Sequence, residues 1–215
     1  MRVCLASTSP ARLMLLRQAG IEPLVRAPQV DENQLTAAAG EVSPEQLVLL
    51  LARAKAADVA TTLAADDPDF EGLVIGGDSM FMLGGRLYGK PYTPEEATRR
   101  WHEMRGQTGT LHSGHAVIHV SSGQPPREAS AVAQASVTFA RDVSDAEIDA
   151  YVTSGEPLHV AGAFTIDSLG GAFIERVSGD PSTVVGMSLS TLRGLAAELG
   201  VPWHALWNRH VGSTP

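Results

Sequence analysis

The chain has 215 residues, which suits one domain or one domain with two lobes, and carries a formal net charge of −8. Its one cysteine, Cys4, excludes an intramolecular disulfide and favours a cytoplasmic setting, while the acidic total argues against sequence-independent nucleic-acid binding. No apolar run approaches the ~20 residues of a membrane span, and the short apolar start before Ser7 fits no signal peptide of usual length.

The N-terminal part alternates short apolar runs with capped helical segments. Residues 3–6 predict a buried strand. A helix should follow, because Ser9 is a good N-cap and Pro10 suits the first helical position. A second strand is predicted within 21–26. The sequence Ser-Pro-Glu-Gln at 43–46 is a capping box, which predicts a long amphipathic helix after it.

The rest of the chain continues this alternation, and its last residues predict a tail. Strands are predicted at 73–75, 80–83, 86–88, 116–120, 131–139 and 172–177, and helices after the caps Thr93, Ser144 and Ser188. The segment from Val201 on, with Trp203 and Trp207, is expected to dock on the domain, and 212–215 to be loose. The order of elements predicts an α/β fold with a partly parallel sheet.

Residues 7–12, Ser-Thr-Ser-Pro-Ala-Arg, lie between the first predicted strand and the first helix. Backbone N–H groups at a helix start favour a phosphate, and the Ser7 hydroxyl and the Arg12 guanidinium add donors. The alternative is an ordinary capped helix with a solvated Arg12. This segment taken alone favours the alternative.

Asp78 follows an apolar run and two glycines, Gly76 and Gly77. In open α/β sheets, ligands gather at the carboxyl ends of strands, and glycines let a substrate approach the backbone. A carboxylate in this place could orient a water, act as a base or bind a divalent cation. A simple turn aspartate is an equally open interpretation.

The candidate cations each have two interpretations. Residues 84–91 approach the Walker phosphate-loop pattern, but Pro91 replaces the Ser or Thr that should bind magnesium, so that motif is rejected. Lys90 could still reach a phosphate as a point charge, or lie on a surface hairpin. Lys55 lies at the edge of the apolar face of its helix, so it could enter a cleft or extend outwards.

The candidate metal ligands are few. Asp31 and Glu32 form a paired acidic spot that could hold a metal on a phosphate chain, or could belong to a solvated loop. His112 and His115 are three positions apart, but no third ligand lies nearby in the sequence. The histidines therefore give no convincing metal site.

Taken in order, these segments resemble the Maf family of nucleoside triphosphate pyrophosphatases. The resemblance runs from residue 5 to about 201, and rests on the motifs at 5–12, 31–32, 54–56, 76–79, 89–91, 106–108, 155–157, 161–164, 179–181 and 184–186. It implies a two-lobed, ITPase-like fold with a long sheet and a central cleft. It also implies hydrolysis between the α and β phosphates to a nucleoside monophosphate and pyrophosphate, with Mg²⁺ or Mn²⁺.

The resemblance also implies roles for individual residues. Asp78 is the proton acceptor that activates water, and Glu32 helps to place metal or substrate. The phosphate contacts would be Ser7, Arg12, Lys55 and Lys90. Pyrimidine-preferring members have arginine, threonine and glutamine where this chain has Ala11, Ser79 and Asp167, so these three residues are expected to set the choice of nucleotide. Members that act on a methylated guanine nucleotide have an acidic residue at the position of Asp167, so at this position the chain resembles them.

Three functions remain open at this level. The first is a pyrophosphatase that cleans the nucleotide pool. The second is a nucleotide-dependent regulator of cell division or septum formation, and the third is a phosphatase that releases orthophosphate from the γ position. A base at Asp78 together with both lysines favours catalysis, since a pure binder needs no base. Family analogy adds the expectation of a homodimer.

Overall fold

The computed structural model describes residues 1–209. These residues form a mixed α/β structure in two compact units. The first unit comprises Met1–Asp78, Ser113–Ala133 and the residues from Gly186 on, and the second comprises Ser79–His112 and Gln134–Val185. The expected loose segment 212–215 lies outside the described residues.

Seven strands and seven α-helices are present in residues 1–209. The strands are β1 (Arg2–Ala6), β2 (Leu24–Arg26), β3 (Gly72–Leu83), β4 (Arg86–Tyr88), β5 (Thr108–Val120), β6 (Arg127–Phe139) and β7 (Ile174–Gly179). The helices are α1 (Pro10–Gln18), α2 (Glu32–Ala39), α3 (Pro44–Asp66), α4 (Pro94–Met104), α5 (Asp145–Thr153), α6 (Pro181–Val185) and α7 (Leu189–Glu198).

The strands pair in the order β2-β1-β3-β5-β6-β7, and β4 pairs with β3. β1 runs parallel to both β2 and β3, whereas β4 is antiparallel to β3 and β7 is antiparallel to β6. The prediction of an α/β fold with a partly parallel sheet is therefore confirmed. β3, β5 and β6 each continue from residues of one unit into residues of the other.

The core of the first unit forms where α3 packs on the sheet, burying side chains such as Ala52, Ala56 and Val74. Two glycines allow this close approach. A Cβ added at Gly76 would lie 2.3 Å from the carbonyl oxygen of Ala52, and one at Gly114 would lie 2.2 Å from that of Val48. Because the α3 backbone lies this near the strands, a polar residue on its inner face is held at a fixed place beside β3.

An aromatic cluster fills the core of the second unit. Trp101 is fully buried and meets Phe139, Tyr151 and Phe173 edge to face, at centroid distances of 5.5, 5.3 and 5.6 Å. Its indole Nε1 donates to the carbonyl oxygen of Ala163 at 2.8 Å, so its polar atom is satisfied.

The predicted helix starts are confirmed at Ser9, Ser43, Thr93, Ser144 and Ser188, each of which caps a helix with its side chain. The strand lengths differ from the prediction. The predicted strands at 73–75 and 80–83 are parts of the single 12-residue strand β3, and β5 and β6 begin earlier than expected. Gly76 is instead a place where α3 approaches the sheet, and Gly77 lies against the Arg12 side chain.

Two further segments differ from or extend the expectation. Asp31 is the N-cap of α2, whose helix the sequence did not predict, and its Oδ1 accepts from the backbone N–H of Gln34 at 2.9 Å. In the expected tail, Val201 and Leu206 are buried, and the N–H of Asn208 donates to the carbonyl of Gly20 at 3.1 Å. The described part of the tail is thus docked, as predicted.

Candidate active site in the first unit

Asp78 lies inside β3 and not at its end, which corrects the sequence-based expectation. The parallel pairing of β3 with β1 ends at the register pair Ala6 and Gly76. Asp78 therefore lies two residues beyond Gly76, the last residue of β3 that pairs with β1. At this level the chain leaves β1 and enters the Ser7–Arg12 segment. The carboxyl end of β1 rather than that of β3 brings the two motifs together.

One lysine joins two carboxylates in this site. The Nζ of Lys55 donates to Oδ1 of Asp78 at 2.7 Å and lies 2.9 Å from Oε1 of Glu32. Lys55 and Asp78 are only 6% and 8% exposed, whereas the side chain of Glu32 is 51% exposed. Lys55 thus points inwards, which settles the two interpretations that the sequence left open, and the trio leads from the protein interior to solvent.

Burial raises the pKa of Asp78 above its ordinary value, and the positive charges of Lys55 and Arg12 act in the opposite direction. A carboxylate whose pKa is raised is a stronger base than an exposed aspartate. A base is most effective when its pKa approaches the working pH. The environment of Asp78 therefore suits the removal of a proton from water.

Ser7 and Arg12 meet at the carboxyl end of β1. The Arg12 Nη1 donates to the Ser7 Oγ at 3.2 Å, and the same hydroxyl oxygen accepts from the backbone N–H of Ser9 at 3.1 Å. Burial lowers the pKa of Arg12, against the raising effect of Asp78 and Glu32, but guanidinium groups remain charged in proteins. The alternative of a solvated Arg12 is thus wrong, and the guanidinium faces the same carboxylates as Lys55.

Two residues to which the sequence gave no role in the site, Gly186 and Ser113, organise this region. Arg12 Nε donates to the carbonyl oxygen of Gly186 at 3.0 Å, and the hydroxyl of buried Ser113 lies 3.3 Å from the same oxygen. The Ser113 hydroxyl also lies 3.5 Å from the backbone oxygen of Asp78. Gly186 and Ser113 are 174 and 101 positions from Arg12 in the chain, so no local pattern could have linked them.

The remaining predicted site residues are described with their own elements. Ala11 is half-buried in α1, next to Arg12. In the second unit, Ser79 is half-buried in β3, Lys90 is exposed after β4, and Asp167 is exposed between β6 and β7. Their proposed contacts with phosphate and nucleobase stay predictions.

Of the two neighbouring histidines, His115 makes a hydrogen bond in the protein interior. His115 is fully buried, and its Nε2 accepts from the backbone N–H of Ser188 at 2.8 Å, beside the start of α7. Within residues 1–209, no group of three or more His, Cys, Asp or Glu side chains is close enough to hold a metal ion. In the same residues, no helix is both long enough and apolar enough to cross a membrane.

The comparison with protein families decides to which family this chain belongs. The family model described as "Maf-like protein" matches residues 2–199. The chain belongs to the Maf family. The motifs at 7–12, 54–56 and 76–79, which form the site around Lys55 and Asp78, all lie within the matched region.

Curated members of the Maf family match this chain over nearly their whole length. A protein named "Nucleoside triphosphate pyrophosphatase" from Leifsonia xyli subsp. xyli is 59% identical, covering 97% of this chain and 98% of its own. A protein of that name from Rhodococcus jostii is 48% identical over 94% of each chain. Another from Salinispora tropica is 49% identical, covering 100% of this chain and 91% of its own.

Among solved structures, a nucleoside-triphosphatase (dITP/XTP pyrophosphatase) from Mycobacterium abscessus aligns with 93% of this chain and 95% of its own. The TM-score is 0.36 and the identity is 13%. This low similarity adds nothing to the family assignment.

Proposed function

We propose that this Maf protein hydrolyses nucleoside triphosphates between the α and β phosphates, giving a nucleoside monophosphate and pyrophosphate. The observation that carries the proposal is the buried pair of Lys55 and Asp78, 2.7 Å apart, at the strand end that also holds Ser7 and Arg12. Relatives up to 59% identical are named nucleoside triphosphate pyrophosphatase, which supports the same reaction.

The roles of the side chains follow from their charges. Asp78 takes a proton from the attacking water, because its raised pKa makes it a suitable base. Lys55 keeps this carboxylate in place and, with Arg12, offers positive charge to the phosphates. Phosphoryl transfer depends on positioning and charge stabilisation more than on a nucleophilic side chain, so the reaction needs no nucleophilic residue beside these groups.

A divalent cation is part of the proposal. Glu32 and Asp78 supply the carboxylate oxygens that Mg²⁺ and Mn²⁺ prefer, and both converge on the Lys55 ammonium at 2.9 and 2.7 Å. The half-exposed Glu32 is the residue that would hold such a cation, together with oxygens of the triphosphate. Bound there, the cation would neutralise charge on the phosphate chain.

The nucleotide preference is proposed to depend on Ala11, Ser79 and Asp167. Family resemblance indicates these positions, and this chain combines residues that match neither the pyrimidine-preferring set nor the other set completely. Of the three residues, Asp167 has a carboxylate, and a carboxylate can accept hydrogen bonds from N–H groups of a purine. Lys90 is proposed as a further phosphate contact.

The test is a product assay. The purified protein is incubated with a panel of nucleoside triphosphates, including methylated ones, in Mg²⁺, in Mn²⁺ and in EDTA, and pyrophosphate and orthophosphate are measured separately. We expect one pyrophosphate for each nucleoside monophosphate, and no turnover in EDTA. Orthophosphate with a nucleoside diphosphate would contradict the proposed cleavage site and would favour a γ-phosphatase instead.

A further inference from the structure

Glu156, in the second unit, accepts hydrogen bonds from several separate groups. Its Oε1 accepts from the Tyr151 hydroxyl at 3.0 Å, from the Thr165 hydroxyl and from the backbone N–H of Gly170 at 3.0 Å. Its Oε2 accepts from the backbone N–H of Leu169 at 3.2 Å. One carboxylate therefore joins the end of α5 to both ends of the segment 165–170.

The segment 165–170, called here the selectivity loop, is tightly folded around this carboxylate. A Cβ added at Gly170 would lie 2.5 Å from the Tyr151 hydroxyl oxygen and 2.7 Å from the carbonyl oxygen of Thr165. The two ends of the loop are thus in contact, and the space between them is full. Asp167 lies in the exposed middle of the loop, between the anchored ends.

Tyr151 connects the Glu156 carboxylate to the aromatic core of the second unit. The Tyr151 hydroxyl, which donates to Glu156, also accepts from the backbone N–H of Thr165 at 3.3 Å. The Tyr151 ring meets Trp101 and Phe173 edge to face at 5.3 and 5.5 Å. Because these contacts hold Tyr151 in place, a change at the Glu156 carboxylate should shift the loop rather than the Tyr151 side chain.

The carboxylate is strongly held in its charged form. Burial would raise the pKa of Glu156, but hydrogen bonds from the side chains of Thr165 and Ser168 and from the N–H groups of Gly170 and Leu169 lower it to about 2. Hydrogen bonds to a charged carboxylate are roughly twice as strong as neutral ones. The neutral amide of glutamine, which would turn a donor towards the Leu169 N–H, cannot replace it.

We propose that Glu156 is a positioning residue for nucleotide selection, because it holds the selectivity loop in the shape that presents Asp167 to the nucleobase. The motif 155–157 contributes to the family resemblance, but the sequence alone indicates no role for its glutamate. The inference rests on the proposed function, in which Asp167 contributes to the choice of nucleotide. Glu156 itself acts only through the loop.

The test compares selectivity, measured as the ratio of kcat/KM between the best and the worst triphosphate of the panel. We expect Glu156→Gln to reduce this ratio by about two- to thirtyfold, the range for residues that act on a ligand without touching it. Thr165→Val, which removes one of the donors, should change the ratio in the same direction. Asp167→Ala should change it as well, and adding Glu156→Gln to Asp167→Ala should have no further effect.

A matched control is Glu147→Gln. Glu147 also accepts two hydrogen bonds, from the Ser144 N–H at 2.8 Å and the Ser144 hydroxyl at 2.7 Å, but it caps the start of α5. This variant should unfold at a lower temperature without a change in the ratio. If Glu156→Gln does not fold, Thr165→Val decides by the same measurement.

Several outcomes would overturn the inference while leaving the proposed function intact. The first is that Glu156→Gln lowers kcat/KM equally for every nucleotide, and the second is that Asp167→Ala leaves the ratio unchanged. The third is that Glu156→Gln has its full effect on the ratio even in the Asp167→Ala variant. The fourth is that the wild-type protein prefers no nucleotide. A wild-type protein that releases no pyrophosphate from any nucleotide would instead contradict the proposed function.

Discussion

The ammonium group of Lys55 lies 2.7 Å from a carboxylate oxygen of Asp78 and 2.9 Å from one of Glu32, although these residues come from a helix, a strand and the start of another helix. Removing one partner of a buried ion pair leaves an uncompensated charge, which costs about 3–5 kcal/mol. Lys55 therefore favours the ionised form of Asp78, against the effect of burial, as well as holding its position.

Replacement of Lys55 tests this coupling through the pH dependence. Lys55 lowers the pKa of Asp78, so Lys55→Met should raise that pKa further. Because the base must be deprotonated, the acidic limb of the kcat/KM profile should move to higher pH, with a loss of about a hundredfold or more at neutral pH. The free triphosphate has the same pKa values in both assays, so a difference between the two pH profiles must come from the enzyme. An unmoved limb would contradict the assignment of Asp78 as the base.

Arg53→Met is the matched control for Lys55→Met. Arg53 lies on the same helix two positions earlier, is exposed, and pairs with Glu128 at 2.6 Å. It contacts neither carboxylate of the site, so its pH profile should coincide with that of the wild type.

Arg12→Lys should impair substrate binding more than stability. The guanidinium contacts the Gly186 carbonyl oxygen and the Ser7 hydroxyl through different nitrogens, a geometry that a single ammonium cannot reproduce. KM should rise by about tenfold or more, since a hydrogen bond to a charged group contributes about 1.5–3 kcal/mol. Steady-state kinetics would show this. Arg17→Lys, an exposed change in the same helix, should leave KM unchanged, and equal KM values for all three proteins would refute the phosphate contact.

Gly76→Ala tests the packing that brings Lys55 to Asp78. The new Cβ would lie 2.3 Å from the Ala52 carbonyl oxygen, so α3 must move away from the sheet. We expect a loss of about 1–3 kcal/mol in the free energy of unfolding, measured with urea, and reduced activity. Gly194→Ala in α7 meets nothing within 4 Å and should instead stabilise the protein by about 0.5–1 kcal/mol. A Gly76→Ala variant as stable as the wild type would show that the contact is not restrictive.

Much of the local structure could be predicted from the sequence because it depends on local chemistry. The caps at Ser9, Ser43 and Ser144 place helix starts correctly, since their side chains bond to N–H groups three residues on. The full length of β3 could not be predicted, because Gly76 and Gly77 suggest a turn in isolation. The contact of Gly76 with α3 and that of Gly77 with the Arg12 side chain exist only in the folded protein.

The site shows the same division. Asp78, Arg12 and Lys55 could be selected as candidates from residue type and place in the pattern, but not the direction of the Lys55 side chain. That direction depends on the packing of α3 at Gly76, which involves residues more than 20 positions apart. The acidic pair at 31–32 suggests a metal ligand at Asp31, but the structure uses this carboxylate as the N-cap of α2. The contacts of Gly186 with Arg12 and of Ser113 with Asp78 could not be predicted, since they are long-range.

The central claim is that Asp78 activates the water that cleaves the triphosphate. The most direct test measures pyrophosphate release by Asp78→Asn, together with its binding of an α,β-methylene nucleoside triphosphate, which cannot be cleaved at that bond. Asparagine preserves the shape but cannot accept the proton, so turnover should fall by about 10²–10⁴-fold while the analogue still binds. Wild-type turnover in a correctly folded Asp78→Asn protein would contradict the account.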